Sequence, residues 1–310
     1  MSHPADHAHS HDPRHDHGAG GLDRTRQRQR LALTLCLSAS YLVAEVVGGL
    51  WTGSLALLAD AGHMLSDVGA LGLSLFALWL ASRPAPAART YGYHRIEILA
   101  ALANGVALGV VAIFIALEAI KRASHPPAIL GLPMLAIATG GLLVNLAGLL
   151  ILHAERNGSL NLRGAWLHVA SDALGSVGAM AAGACIWLFG WRLADPIASA
   201  LIALLILHSA FTLLRETVDV LLEAAPPHLD VAEIEGAMQE TPGVASVHDL
   251  HVWTITSGLV SLSCHIACQE SAAGHAVLSE LQGVLRQRFS IHHATIQIEP
   301  EDFEESVRVC

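Results

Sequence analysis

The chain has 310 residues, of which 53% are hydrophobic and 14% charged, and its formal net charge at pH 7 is −10 with histidine neutral. Soluble domains carry about 25% charged residues, so this composition argues against an ordinary soluble protein and indicates one that spans a membrane. The five cysteines form no C-x-x-C pair, which argues against a disulfide framework or a cysteine-type zinc finger.

The first thirty residues differ in amino-acid composition from the rest of the chain. They begin with the histidine-rich stretch "HPADHAHSHDPRHDH" and contain no apolar run, so we predict a disordered tail over residues 1–30. Such a tract is typical of loose metal capture. An affinity tag is the alternative, but the irregular spacing with interleaved Asp and Pro argues against a tag.

Six apolar windows follow, each long enough to cross a bilayer as a helix. The first is too long for the core of a cleaved signal peptide, so we expect it to be retained. Most arginines fall on one side of a six-span arrangement, and the positive-inside rule then places both termini in the cytoplasm. We therefore predict a six-helix membrane domain over residues 31–214, with windows near 31–50, 54–80, 97–119, 131–153, 160–189 and 195–214.

Residues 215–310 have the pattern of a small folded domain. "LDVAEIEGAMQE" and "AGHAVLSELQGVLRQRFS" carry apolar residues at helical spacing. "PGVASVHDLHVWTITSG" followed by "LVSLSCHIAC" indicates a strand, a turn and a strand, and "ATIQIEP" indicates a last strand. In "LVSLSCHIAC", strand alternation sends Leu262, Cys264 and Ile266 to one face, and His265 then projects from the opposite, polar face. Two helices on one small sheet predict an α+β cytoplasmic domain.

Two of the predicted spans contain the same polar motif. Each copy reads Ser-Leu, seven residues, then His-x-x-Ser-Asp, and the copies end in His63 and Asp67 and in His168 and Asp172. Positions i and i+4 of a helix share a face, and charged groups at membrane depth normally face an interior cavity or partner. Two imidazoles and two carboxylates suit a tetrahedral Zn²⁺ site. The alternative is that each His and Asp satisfy each other within their helix.

The place of the two motifs supports a shared site. Each lies in the second span of a three-span half, so the second half is inverted relative to the first. Secondary transporters built from inverted repeats hold their substrates near the middle of the membrane. The sequence therefore predicts a joint metal site formed by both halves.

Four stretches together resemble the cation diffusion facilitator family, of the bacterial zinc exporter kind. They are "SLALLADAGHMLSD", "YGYHRIEILAA", "AWLHVASDALGSVG" and "PGVASVHDLHVWTITSG". The resemblance implies a homodimer of six-span subunits in the inner membrane, each with a ferredoxin-like, metallochaperone-like cytoplasmic domain, that exchanges cytoplasmic divalent metal for protons. It implies the transport ligands His63, Asp67, His168 and Asp172. It also implies a regulatory metal site in the cytoplasmic domain at His248, His265, His292 and Glu299.

Other polar residues have plainer interpretations. Asp60 lies one turn before His63 and is either a further ligand or, as we prefer, an acceptor behind the ligands. Hydrogen bonding between helices is the preferred interpretation for Glu45, Asn104 and Asn145. In the cytoplasmic domain, a regular strand cannot aim both His248 and His251 at one ion, because their positions have opposite parity.

We expect a secondary active transporter and not an enzyme. Metal ligands must lose protons to bind, so protons and Zn²⁺ compete for the same residues, and protonation of imidazoles would release the ion on an acidic side. An intramembrane metalloprotease would need a general base such as H-E-x-x-H supplies, and none occurs. A metal sensor would not need ligands in two inverted halves, and a channel would favour weak ligands. We expect Zn²⁺ first, with Co²⁺ and Cd²⁺ as further substrates, and neither an organic cofactor nor a nucleic-acid partner.

Overall fold

The chain begins with six long helices. The computed structural model describes residues 17–81, 88–153, 160–269 and 273–301. Each predicted window corresponds to one helix, although most helices extend beyond their windows. The helices are α1 (His17–Thr52), α2 (Leu55–Ala81), α3 (Ile96–Ser124), α4 (Gly131–His153), α5 (Leu160–Phe189) and α6 (Ala194–Leu221).

Five helical segments within the described ranges are long and apolar enough to cross a membrane. Helix α2 has 27 residues but is not among the five, and it is the helix that carries Asp60, His63 and Asp67. Five predicted spans are therefore confirmed in this sense, and the second span stays a prediction. The five are Ala32–Thr52, Ile96–Ser124, Gly131–His153, Val169–Phe189 and Ala194–Leu221.

The predicted tail boundary at residue 30 needs a correction. Helix α1 begins at His17, so the second half of the segment predicted to be disordered is helical. The arginines and glutamines of "RTRQRQR" are good helix formers, and they let the apolar helix continue toward the N-terminus. Residues 1–16 lie outside the described ranges.

The chain divides into two compact units, of which the first comprises Met1–Met64 and Ala119–Ile202. Within it α4 packs on α5 and α1. A Cβ atom on Gly183 would lie 2.9 Å from the backbone N of Leu135, and one on Gly131 would lie 2.8 Å from the backbone N of Trp187. Only glycine allows backbones to approach this closely, as is common where membrane helices pack.

The second unit comprises Leu65–Glu118 and Ala203–Cys310 and contains a small C-terminal domain. The sheet order is β1-β2-β3, with β1 and β2 antiparallel and β2 and β3 parallel. The predicted succession of helix, strand, turn, strand, helix and strand is confirmed. The elements are α7 (Val231–Gln239), β1 (Val244–Thr256), β2 (Leu259–Cys268), α8 (Gly274–Phe289) and β3 (His293–Pro300).

The core of the C-terminal domain lies between its helices and one face of the sheet. Met238 of α7 and Leu281 of α8 are fully buried, as are Leu262 and Ile266 of β2. These β2 residues alternate with His265, which points to the opposite face as predicted. The His265 imidazole therefore lies outside the apolar core. The predicted α+β class of this domain is confirmed.

The C-terminal domain also contacts the beginning of α3 within the second unit. Glu97, in the first turn of α3, accepts hydrogen bonds from the hydroxyl of Thr256 and from Oγ of Ser257, the latter at 2.7 Å. Arg95 forms an ion pair with Glu223 at 2.7 Å. The turn between β1 and β2 is thus fastened to a membrane helix.

Candidate metal centres

The two repeated motifs meet in the first unit. His63 lies on α2 and Asp172 on α5, and Nε2 of His63 is 3.5 Å from Oδ1 of Asp172. Asp172 is only 5% exposed. Two ligand atoms of a tetrahedral zinc ion lie about 3.4 Å apart, since each is about 2.0–2.1 Å from the metal. The observed separation therefore fits two ligands of one ion.

The other two predicted ligands lie one helical turn away from this pair. Asp67 follows His63 by four residues in α2, so both lie on one face of that helix. His168 precedes Asp172 by four residues in α5. The side chain of His168 lies outside the described part of the structure, so its role stays a prediction.

Asp60 contacts α5 rather than standing alone. It is 2% exposed, and its Oδ2 accepts a hydrogen bond from Oγ of Ser176 at 3.2 Å. The same Ser176 oxygen accepts from Nδ2 of Asn145 at 3.2 Å. These contacts confirm Asn145 as a helix-to-helix hydrogen-bonding residue and favour Asp60 as an acceptor behind the ligands.

The interpretation of Asn104 is confirmed, whereas Glu45 does not act as an acceptor for the described donors. In the second unit, Nδ2 of Asn104 donates to Oγ of Ser66 at 3.1 Å. Glu45 is 1% exposed, yet neither of its carboxylate oxygens receives a hydrogen bond from a donor of the described residues. Glu45 can therefore join two helices only as a donor, in its protonated form.

A second candidate centre lies on the polar face of the C-terminal sheet. Nε2 of His248 is 3.2 Å from Oε2 of Glu299, and Nδ1 of His265 is 3.0 Å from Oε1 of Glu299. One ligand atom from each of the three residues lies within 4.8 Å of the others. The strand register explains the meeting, because His248 pairs with His265 across β1 and β2, and Glu299 of β3 pairs with Ala267 of β2.

Glu299 is held in place by its neighbours on the sheet. It is 4% exposed, although strand alternation places it on the polar face. Nε2 of Gln297 donates to Oε1 of Glu299 at 2.7 Å. Strand alternation in the sequence places Gln297 on the same face as Glu299, but it did not indicate that Gln297 would hold the carboxylate.

Strand β1 is not regular, which corrects the premise about His251. The pairing shifts register between His248 and His251, and Asp249 has φ +50°. The irregularity brings Nε2 of His251 to 3.0 Å from Oδ1 of Asp249, whose Oδ2 is 3.8 Å from Nε2 of His265. His251 therefore faces Asp249 and not the group at Glu299. Asp249 was missed, and the spacing of "HDLH" was its only signal.

His292 does not join the group formed by His248, His265 and Glu299. It is exposed and lines a pocket with Gln282 and Arg286 of α8. It lies just before β3, whose first residue is His293. Of the four predicted ligands in this domain, the structure brings three together.

The cysteines of β2 are not suited to join this centre. Burial raises the pKa of the Cys264 thiol to about 12 and also raises the pKa of the Cys268 thiol. A thiol binds metal as a thiolate, and Cys264 points to the apolar core as predicted. The centre therefore consists of nitrogen and oxygen ligands.

Two family models match the chain. The cation efflux transmembrane domain matches residues 31–222, and the cytoplasmic domain of cation efflux proteins matches residues 226–301. Together they cover most of the chain.

Several bacterial transporters are similar over nearly their whole length. The "Cadmium, cobalt and zinc/H(+)-K(+) antiporter" of Bacillus velezensis is 45% identical over 264 residues, which is 84% of this chain and 84% of that protein. The metal cation efflux system protein CzcD of Cupriavidus metallidurans is 44% identical over 286 residues, with 92% and 89% covered. The zinc transporter ZitB of Escherichia coli is 42% identical over 295 residues, with 94% and 92% covered.

Proposed function

The chain belongs to the cation efflux, or cation diffusion facilitator, family, and on this premise we propose that it exports Zn²⁺ from the cytoplasm in exchange for protons. The resemblance found in the sequence is thereby confirmed. The similar proteins are named for zinc, cadmium and cobalt, and one of them for protons, which supports these ions as substrates here.

The proposed transport site consists of His63, Asp67, His168 and Asp172. The observation that carries it is the 3.5 Å approach of His63 to Asp172 across two helices. Facing the cytoplasm, the deprotonated ligands bind Zn²⁺. Facing an acidic exterior, the imidazoles take up protons and coordinate the ion less well, so the ion leaves. The inward flow of protons then drives export.

Reconstitution tests this proposal directly. Purified protein in proteoliposomes should move Zn²⁺ against an opposing pH gradient, and Zn²⁺ movement should produce an opposite proton flux. His63→Ala should abolish both signals. Zinc flux that ignores the pH gradient would indicate a channel and would contradict the exchanger.

We further propose a layout for the chain in the inner membrane. The membrane domain spans residues 31–214 and the cytoplasmic domain residues 215–310, with both termini in the cytoplasm and two chains forming a homodimer. Clustered arginines on one side of the spans support this orientation. Single cysteines introduced into the loops of the protein, and labelled in intact cells, would test the orientation.

We also propose that the group of His248, His265 and Glu299 binds a regulatory zinc ion. One carboxylate between two imidazoles supplies three of the ligands that zinc accepts. The described part of the domain leaves the fourth position to a water molecule, to a residue of a second copy or to His292 after a movement. If this site is regulatory, submicromolar cytoplasmic zinc should activate transport. The variant His248→Ala should lose this activation.

A further inference from the structure

A second pair of carboxyl groups lies in the first unit beside the proposed zinc ligands. Glu45 on α1 is 1% exposed and Asp60 on α2 is 2% exposed. Neither belongs to the groups of metal ligands among the described residues. Carboxyl groups at this depth in a membrane domain are costly and normally serve an ion pathway.

The two side chains contact each other in a way that requires a proton. Glu45 and Asp60 lie within hydrogen-bonding reach of each other. Ionised carboxylates only accept hydrogen bonds, so two of them cannot form one. When one of the two carries a proton, the contact becomes an O–H···O⁻ hydrogen bond, which is short and strong.

The surroundings assign the proton to Glu45. Asp60 accepts a hydrogen bond from Ser176 at 3.2 Å, which stabilises its ionised form. Glu45 receives no hydrogen bond from any donor that the structure describes, and an ion buried without a donor is far less stable than its neutral form. The protonated member of the pair is therefore Glu45.

The helices close tightly over the pair. A Cβ atom on Gly141 would lie 2.9 Å from Oε1 of Glu45, and one on Gly175 would lie 2.7 Å from Oδ1 of Asp60. Any larger residue at either position would displace a carboxyl group. Glycine thus lets α4 and α5 form the walls of a compartment that fits the two carboxyl groups.

Other titratable groups face the pair from the helices around it. Tyr41 lies one turn before Glu45 on α1, with its hydroxyl donating to the backbone carbonyl of Ile137. His63 on α2 and Asp172 on α5 interact with the pair electrostatically. Helix α4 contributes the neutral Asn145. A divalent cation between His63 and Asp172 would therefore act on the proton of Glu45.

We propose that Glu45 and Asp60 form a proton-binding site, separate from the metal ligands, whose proton is one of those exchanged for the metal. The inference rests on the proposed function. Arrival of a divalent cation stabilises the ionised form of the pair, so the O–H bond of Glu45 breaks and the proton passes to water. Departure of the cation reverses the step, because two neighbouring negative charges without a cation cannot both stay buried.

Glu45→Gln tests this site, because glutamine keeps the shape of the side chain but cannot release a proton. In proteoliposomes we expect the number of protons moved per zinc ion to fall by about one and the pH dependence of the rate to flatten. Zinc affinity of the detergent-purified protein should fall by at least about tenfold at neutral pH, because a site that releases a proton when zinc binds gains affinity from that release. At low pH, where the parent keeps the proton, the two affinities should be equal. Thr34→Val is the matched control, since Thr34 is a buried hydroxyl on the same helix.

Asp60→Asn serves as the second variant and should show the same loss of a proton. Size-exclusion elution identifies which variants are folded. An unchanged proton ratio and pH profile in a folded variant would overturn the assignment. A zinc affinity of Glu45→Gln that stays well below that of the parent even at low pH would overturn it too, by making Glu45 a metal ligand. A change in potassium flux with an unchanged proton flux would assign the pair to an alkali cation instead.

Failure of the proposed function gives a different result. If that function is wrong, the parent protein shows no zinc-coupled proton flux, and His63→Ala behaves like the parent. If only the proton site is wrong, the parent and Glu45→Gln show the same zinc-coupled proton flux, and His63→Ala abolishes that flux.

Discussion

The carboxylate of Asp195, at the start of α6, holds the first turn of α2 through Ser54. Oγ of Ser54 donates to Oδ1 of Asp195 at 2.6 Å. The backbone N–H groups of Leu55 and Ala56 donate to the same carboxylate at 3.0 and 3.1 Å. The first N–H groups of a helix lack partners within the helix, and here one carboxylate, 140 positions further along the chain than Leu55, accepts from two of them. Helix α2 carries His63, so its placement depends on α6.

Asp195→Asn should therefore destabilise the protein and slow zinc transport together. The amide replaces one acceptor oxygen by a donor that faces backbone N–H groups. We expect the free energy of unfolding to fall by about 2 kcal/mol, as for a lost hydrogen bond to a charged group. Thermal unfolding in detergent and transport rates in proteoliposomes measure the two effects.

Ser54→Ala is the matched control for Asp195→Asn. It removes two bonds of the cap, the one to Asp195 and the one that Oγ of Ser54 accepts from the backbone N–H of Leu57 at 3.2 Å. It should cost about 1 kcal/mol. If Asp195→Asn costs no more than Ser54→Ala, the carboxylate does not hold α2 as described.

Asp172→Ala should reduce zinc transport by at least about 100-fold. Loss of a residue behind the ligands already costs about 10–100-fold in metal affinity, and Asp172 is proposed to touch the ion itself. The variant should elute as a folded dimer, because a ligand and not a packing group is removed. Zinc flux close to that of the parent would refute the site.

His63→Asp should shift selectivity away from zinc. A carboxylate is a harder ligand than an imidazole, so the site should accept Mn²⁺ and Cd²⁺ better relative to Zn²⁺. It also brings a third carboxylate to the site, and mutual repulsion favours the protonated forms. Protons should therefore compete more strongly at low pH.

Initial rates for Zn²⁺, Cd²⁺ and Mn²⁺ across a pH series would measure both effects of His63→Asp. Unchanged preference together with an unchanged pH profile would mean that His63 does not touch the ion. The contact with Asp172 would then be a structural hydrogen bond.

Glu299→Gln should remove one bound zinc ion without affecting the transport site. The carboxylate lies between His248 and His265, so its loss leaves two imidazoles and reduces affinity by at least about 10-fold. Zinc titration of the full chain, in a background carrying Asp172→Ala, isolates this centre. Glu301→Gln, at an exposed position close by, should bind zinc like its parent, and equal binding by both variants would contradict the assignment.

Local patterns predicted the elements and the polar motifs, because apolar periodicity and i, i+4 spacing are set by neighbouring residues. The predicted window 131–153 coincides with α4, and the inward residues of β2 were also identified. The bulge at Asp249 was not, since strand alternation assumes regular pairing.

Long-range partners were beyond the reach of local patterns. The bond from Asp195 to Ser54 joins residues 141 positions apart, and no spacing rule connects them. The same limit applies to Glu45. Its position within an apolar window was evident from the sequence, whereas its lack of a hydrogen-bond donor depends on residues from other helices.

The backbone approach at Gly131 and Gly183 also constrains motion. Helices that meet backbone to backbone cannot slide past each other without opening a void, and packed interiors resist voids. Helix α5, which carries Asp172, is therefore expected to move together with α4 as one rigid body. Domain-scale movements of this kind take microseconds to milliseconds. Any displacement of Asp172 during transport therefore involves α4 as well as α5.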